Sequence, residues 1–303
     1  MRKTIVLAGG SGFLGASLAN KLREIGYAVV VLTRGANRTN EGVEFVSWDG
    51  ATQGEWSRAV DGAEAVVNLT GKSVNCLYTP SNKREIYESR LRSVAAVAEA
   101  VRAAERPPRV VVQASSLAIY GDTRDVCAED APHGSGFAVD VCERWEDAFY
   151  RDPLPAGTRK VALRVGFALG RGGGALAPLV RLAKSGLGGT IGSGKQYISW
   201  IHIDDLNEMF VRAIQDDSIE GTYNATGPTP VTNKEFMKAL REALGKRWAP
   251  PAPAPLVALG AVAFMRASPS LALTGRRCVP ARFQREGFRF RYSKLEDALK
   301  DLL

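Results

Sequence analysis

The sequence predicts an α/β fold: a doubly wound parallel sheet with a small C-terminal lobe on its substrate side. Three observations carry that expectation. Short β-branched apolar runs alternate with longer helical patterns. The first run opens directly onto a glycine turn and a helix. Four prolines in the six residues Pro250 to Pro255 set off a tail with patterns of its own.

Thr4 to Ala8 has strand length and composition and runs into Gly9-Gly10-Ser11-Gly12-Phe13-Leu14-Gly15. Leu14, Leu18 and Leu22 then recur at helical spacing until Gly26, and Ala28 to Leu32 is a second strand ending at Thr33-Arg34. Strand, glycine turn, helix and strand make half of a dinucleotide-binding unit. A pyrophosphate needs backbone N–H groups and the positive end of a helix pointing at it, and a Cβ obstructs that approach. Gly9 permits the turn, Gly12 the close approach, and Gly15 the packing of helix on strand. Ser11, Phe13 and Leu14 complete the predicted phosphate contact.

The end of the second strand bears on which dinucleotide binds. An acid there accepts hydrogen bonds from a ribose 2′-OH, whereas arginine suits a 2′-phosphate. This chain has Thr33 and Arg34, with Arg38 nearby and no acid before Glu41. NADP(H) is therefore expected over NAD(H).

Further along, Gly35 to Glu41 reads as a polar turn, Val43 to Trp48 as a strand and Ala63 to Leu69 as another. Lys72 to Asn82 is a loop carrying Cys76 and Tyr78, Lys83 to Ala104 a long helix, and Arg109 to Ala114 the fifth strand. A helix over Phe137 to Glu146 precedes the sixth strand, which with its following turn covers Lys160 to Leu169. Gly172 to Gly174 is a hinge-like turn, and Leu176 to Ala183 is helical. Gln196 to Ile203 reads as a strand, with Asp204 or Asp205 capping the helix that follows. Thr222 to Ala225 returns to the sheet, and Val231 to Leu244 is a helix capped by Thr232 or Asn233. In the tail, Leu256 to Met265 is helical, Arg276 to Pro280 a basic turn, Phe288 to Tyr292 a strand and Leu295 to Leu303 a closing helix. The expected domains are 1–225, with substrate-lobe segments interleaved from about 166, and 226–303.

The Gly-x-x-Gly-x-x-Gly spacing, with Asn68-Leu69-Thr70-Gly71 and the stretch Ser115 to Gly121, resembles the extended branch of the short-chain dehydrogenase/reductases. That resemblance implies a Rossmann-type sheet. It also implies that Asp49 lies near the adenine, that Asn68, Leu69, Thr70 and Gly71 follow the cofactor edge, and that the turn at Gly166 and Phe167 closes over the nicotinamide. Ser115 opens the second motif beside the cofactor. Ser116 matches the serine that hydrogen-bonds the reacting oxygen, and Arg90 lies about where relatives place asparagine.

The family also uses a Tyr-x-x-x-Lys pair on the next helix, where the tyrosine exchanges the proton and the lysine supports it. Here Phe137 and Val141 fall at those positions. The proton donor must be displaced, to Tyr120 or Ser116, with Cys142 a further candidate. Gly71-Lys72-Ser73, Glu88 to Arg90, Cys142 to Glu146 and Leu187 to Gly194 narrow the likeness to the atypical group called epimerase family proteins. The implied function is an NADP(H)-dependent oxidoreductase or epimerase acting on a small carbonyl or hydroxyl compound. The alternative is a non-catalytic NADP(H)-binding sensor or scaffold.

At 303 residues and 45% hydrophobic, the chain can bury a substantial core. Its net charge of +8 comes with no basic helix or aromatic–basic platform, so nucleic acid is not an expected partner. No apolar run approaches membrane-spanning length, and with Met1-Arg2-Lys3 leading straight into the first strand no signal peptide is expected. The four cysteines are widely spaced and fit no zinc motif, and the two histidines cannot by themselves build a metal centre. A cytoplasmic protein with reduced thiols is expected, as monomer or homodimer.

Overall fold

The computed structural model describes residues 2–263 and 266–303. An eight-stranded sheet is built from β1 (Thr4–Ala8), β2 (Ala28–Thr33), β3 (Arg38–Asn40), β4 (Val43–Ser47), β5 (Ala65–Asn68), β6 (Val110–Ser116), β7 (Arg159–Val165) and β8 (Gly221–Ala225). The strands lie in the order β8-β7-β6-β5-β1-β2-β4-β3, and only the edge pair β3 and β4 is antiparallel. The chain winds outward from β1 through β2 to β4, then crosses back to β5 and winds outward the other way. The two windings part between β1 and β5, and the crevice above their carboxyl ends is where such sheets take ligands.

Alternation along the strands loads both faces. Ile5, Leu7, Val29 and Val31 face one layer, and Val6, Ala8, Val30 and Leu32 face the other. The first layer is covered by α1 (Phe13–Glu24) and the second by α2 (Pro80–Ala103) and α3 (Phe137–Arg151). Thr79 caps α2 by accepting the Asn82 N–H at 3.2 Å, with Pro80 at the first helical position. Beyond the sheet, α4 (Leu176–Lys184) leads to α5 (Ile203–Gln215), which joins α1 on the first face, and α6 (Asn233–Ala243) follows β8. Helices α4 and α6 pack with Trp200 and the closing helix Leu295–Leu302 around a separate apolar cluster. Of the two expected caps, Thr232 rather than Asn233 caps α6, in a reciprocal capping box with Glu235.

Several local expectations fail for identifiable reasons. The turn expected at 35–41 contains β3, whose three exposed polar residues show no apolar alternation to read. The strand expected at Gln196 to Ile203 is two short ones. Tyr197–Ile198 pairs with Val231–Thr232, and Trp200–His202 pairs with Phe167–Leu169. Phe288 to Tyr292 forms no strand. Phe288 and Phe290 pack on the core, while the Arg291 and Tyr292 amides donate to the buried Asp205 carboxylate at 2.8 and 3.0 Å. Asp205 therefore anchors the tail rather than capping α5. His202 caps that helix, its Nδ1 accepting the Asp204 N–H at 3.1 Å. The basic turn holds a short strand, Arg277–Cys278, paired with Val126–Cys127. The tail helix spans Ala254–Ala263, and the last two residues expected in it lie outside the described residues.

Candidate functional site

The phosphate turn lies at the switch point, where its backbone is tied to both neighbours. Gly9 N–H donates to Leu32 carbonyl at 3.0 Å, and Leu69 N–H donates to Ala8 carbonyl at 2.8 Å. Gly9 has φ +71°, and a Cβ there would stand 2.7 Å from Thr70 Oγ1. Gly12 is different. It precedes α1 in an extended conformation, and a Cβ on it would meet nothing within 4 Å. The space in front of the α1 N-terminus is open, as an approaching pyrophosphate requires. Gly15 makes a close approach to Gly10, with 2.4 Å from its would-be Cβ to Gly10 Cα. That contact is with the turn rather than the strand. Gly170, Gly173 and Gly174 close around the Phe13 ring. Leu14 packs against the core of the first face.

At the end of β2, Thr33 Oγ1 donates to Ser11 Oγ at 3.1 Å, which couples the strand to the turn. Arg34 is exposed and makes no hydrogen bond or ion pair among the described residues. Arg38 lies 4.2 Å above the Phe45 ring on the edge strands. Two cations thus flank this corner. Asp49, at the end of β4, holds its own turn by accepting from the Ala51 and Thr52 amides, each at 2.8 Å. The Thr52 hydroxyl and these amides keep its carboxyl below the usual range.

Asn68 is fully buried. Its side chain donates to Gln113 at 2.9 Å and accepts from the Thr70 amide at 3.0 Å, so it shapes the loop Leu69 to Gly71. Two polar atoms along this wall are buried without partners, Thr70 Oγ1 and Arg90 Nε. Arg90 reaches Gly71, stacks on Trp145 at 4.7 Å and donates to the Lys72 carbonyl at 3.1 Å. Its burial lowers its pKa. Native proteins seldom leave buried polar atoms unpaired, and a bound polar ligand satisfies such atoms. An open cradle at Gly12 and unpaired groups farther along fit a dinucleotide.

The carboxyl ends of β6 and β7 sort the neighbouring serines by the pleat. Ser116 begins a 3₁₀ turn, Leu117–Tyr120, and its Oγ accepts the Ala118 N–H at 3.2 Å while keeping its own proton to donate. Ser115 points to the opposite face, where its hydroxyl bonds the buried Glu146 at 2.5 Å. Its side chain therefore serves α3, which leaves only its backbone for the expected cofactor contact. Glu146 also pairs with the buried Arg164 at 2.7 Å, and Arg164 donates to the Tyr120 hydroxyl at 2.7 Å. Burial works against the Arg164 charge, but the hydrogen bonds and charge of Glu146 outweigh it and raise its pKa.

Tyr120 is 2% exposed, and its hydroxyl donates to Asn224 at 2.9 Å while accepting from Arg164. Burial pushes its pKa up to about 12 despite that arginine. A phenol enclosed in this way and engaged on both sides has no route to a substrate, so the expected catalytic role of Tyr120 is corrected to a structural one. Cys142 is buried beside Glu146, and its thiol is pushed up to about 12, chiefly by burial. It is no more suited to donate. Gly166 packs on the Ser199 carbonyl and Leu117, and Phe167 meets Phe236 edge-on at 5.8 Å.

Phe137 and Val141 lie on α3. Val141 is buried, and Phe137 is the centre of an aromatic group with Tyr78 at 4.9 Å and Tyr87 at 5.4 Å between ring centroids. Lys83 Nζ lies 5.0 Å over the same ring. Sequence reasoning missed Tyr78 and Lys83 as neighbours of Phe137. They lie far from it in sequence, and no spacing could have signalled them. Among the described residues, no group of three or more His, Cys, Asp or Glu could hold a metal ion, and no helix is long and apolar enough to cross a membrane.

Comparison with known proteins agrees with this geometry. The NAD dependent epimerase/dehydratase family matches residues 5–226, and a domain of unknown function, DUF1731, matches residues 252–302. Epimerase family protein ML0860 of Mycobacterium leprae is 35% identical over 98% of this chain and 95% of its own length. The chloroplastic epimerase family protein SDR39U1 homolog of Arabidopsis thaliana is 32% identical over 99% of this chain and 86% of its own. The crystal structure of human epimerase family protein SDR39U1 with NADPH superposes with a TM-score of 0.87 at 31% identity, covering 99% of this chain and 98% of that one. With the phosphate turn, the switch point and these likenesses in agreement, the chain belongs to the NAD dependent epimerase/dehydratase family.

Proposed function

We propose that this protein is an NADP(H)-dependent oxidoreductase or epimerase acting on a small carbonyl or hydroxyl compound. The observation that carries the reading is the groove itself, open at Gly12 and lined farther along by the unpaired Thr70 Oγ1 and Arg90 Nε. Gly9 to Gly15 would hold the pyrophosphate, and Thr33, Arg34 and Arg38 the 2′-phosphate end beside Asp49. Leu69 to Gly71 with Arg90 would hold the far ribose, and the Ser115 backbone, Gly166 and Phe167 the nicotinamide. The human relative crystallised with NADPH supports this assignment. The cofactor, when bound, supplies or accepts hydride. Ser116 is the hydroxyl that orients the substrate oxygen. Four free thiols accord with a reducing cytoplasm.

A second reading, a non-catalytic NADP(H) sensor, is favoured by the apolar Phe137 and Val141 where relatives use an acid–base pair. Calorimetric titration of NADPH and NADH tests the cofactor, and reduction of a carbonyl panel separates the two readings. NADPH should bind at least about tenfold tighter than NADH, and Arg34→Asp should invert the order by repelling the 2′-phosphate. Equal affinities in the parent would remove the NADP assignment. Tight NADPH binding without turnover on any carbonyl would favour the sensor.

A further inference from the structure

The usual tyrosine position is occupied by Phe137, but a different tyrosine reaches the same wall. Tyr78 lies edge-on to Phe137 at 4.9 Å, arriving from the loop before α2 rather than from α3. That loop is held firmly. Tyr78 N–H donates to Ser268 Oγ at 2.9 Å, Ser268 N–H donates to Cys76 carbonyl at 3.1 Å, and Asn82 Nδ2 donates to Leu77 carbonyl at 2.8 Å. Among the described residues the Tyr78 hydroxyl makes no hydrogen bond, whereas Tyr87, Tyr120 and Tyr223 bond Asp140, Asn224 and Glu286.

Two cations bear on this phenol. Arg90 comes from α2, where it also lines the cofactor groove at Gly71. Arg276 comes from the tail. Its Nε donates to Gly121 carbonyl at 3.0 Å, at the far end of the 3₁₀ turn that Ser116 opens, and its carbonyl accepts from Ser199. The other titratable groups that bear on it are Cys76 on its own loop and Cys142 on α3, with Lys83 over the Phe137 ring and Tyr87, bonded to Asp140, against the same ring.

We propose that Tyr78 is the displaced proton-transfer residue of this site, with Arg90 and Arg276 stabilising its phenolate. The proposal rests on the NADP(H) reading above. In the reducing direction, hydride from NADPH reaches the carbonyl carbon and the C=O π pair moves onto oxygen. The Tyr78 O–H bond breaks as an O–H bond forms on the substrate, and water returns the proton to the phenolate. Burial, and after it the Cys76 thiol, hold the Tyr78 pKa above its ordinary value while Arg90 and Arg276 pull the other way, so the group is a neutral donor at pH 7 with cations near the charge it acquires.

Three measurements on the whole protein test this. NADPH affinity by calorimetry should stay within about twofold of the parent in Tyr78→Phe, which keeps the ring packing. Tyrosine Cζ carbon NMR, with the Tyr78 signal assigned by its loss in Tyr78→Phe, should show its titration displaced to higher pH in Arg276→Met. On the carbonyl panel, Tyr78→Phe should lower kcat by about a hundredfold or more with little change in KM. A parent that does not bind NADPH overturns the cofactor reading and this proposal with it. If NADPH binds but Tyr78→Phe keeps full turnover, only the proposal falls. If no variant turns over, the titration decides, and a Tyr78 signal unmoved by Arg276→Met overturns the role.

Discussion

The sheet carries two polar regions of opposite character. At the carboxyl ends of β1, β2 and β5, groups are left open: Gly12 faces empty space, Arg34 has no partner among the described residues, and Thr70 Oγ1 and Arg90 Nε are buried and unpaired. Beneath the ends of β6 and β7, a buried set of polar groups is engaged. Ser115, Glu146, Arg164, Tyr120 and Asn224 form one closed set of hydrogen bonds. Openness marks the surface that takes a ligand, and saturation marks a brace that holds α3 and the tail on the sheet. The contrast reverses the sequence reading of two tyrosines, which singles out only Tyr120. Tyr120, beside the family's serine, belongs to the brace, whereas Tyr78, in an unremarkable loop, stands at the open wall.

The sharpest way to break this contrast is to attack the brace. Arg164→Met leaves the Glu146 carboxylate buried without its cation and should cost about 3–5 kcal/mol in urea unfolding, with NADPH affinity of the folded fraction kept. A loss of stability below about 1 kcal/mol would mean that the set is not a brace.

Next in size is a pair of glycine changes in one turn. Gly12→Val has room in the free protein, so circular dichroism should show it folded while NADPH binding weakens by about a hundredfold or more. Gly15→Val drives a side chain into the Gly10 backbone and should lower the melting temperature instead. Matching behaviour in the two variants would erase the distinction between ligand-facing and packing-facing glycines.

The smallest expected effect lies in the lobe, at His202. The ring is 1% exposed, stacks on Tyr292 at 3.8 Å and accepts an N–H at Nδ1, so it is held neutral. Burial lowers its pKa, with Asp204 and Asp301 pulling the other way. Its contribution to stability is complete above the unfolded value of about 6.5 and declines as pH falls below it, because the unfolded ring takes up a proton that the folded ring resists. Melting temperature should therefore fall between about pH 7 and pH 5.5. His202→Asn, which keeps a capping acceptor, should flatten that slope. A slope unchanged in this variant would place the titrating group elsewhere.

The amino-acid sequence by itself determined the winding of the sheet, the phosphate turn and the family. Each of these is written locally. Apolar alternation in Thr4 to Ala8 and Ala28 to Leu32, and glycines at fixed offsets, act through backbone geometry that neighbours in sequence control. Only the tertiary structure decided which polar side chains are available for chemistry. Ser115 and Ser116 differ by the face of a pleat. Phe288 to Tyr292 has a strand's alternation but gives two of its amides to Asp205 from α5. Tyr120 is closed off by Arg164 and Asn224, residues 44 and 104 positions away. Tyr78 meets Phe137 of α3 and, through its N–H, Ser268 of the tail, 59 and 190 positions away. Whether a hydroxyl is a brace or a donor depends on the partners around it, and those partners are brought together by packing between distant segments, which no local spacing encodes.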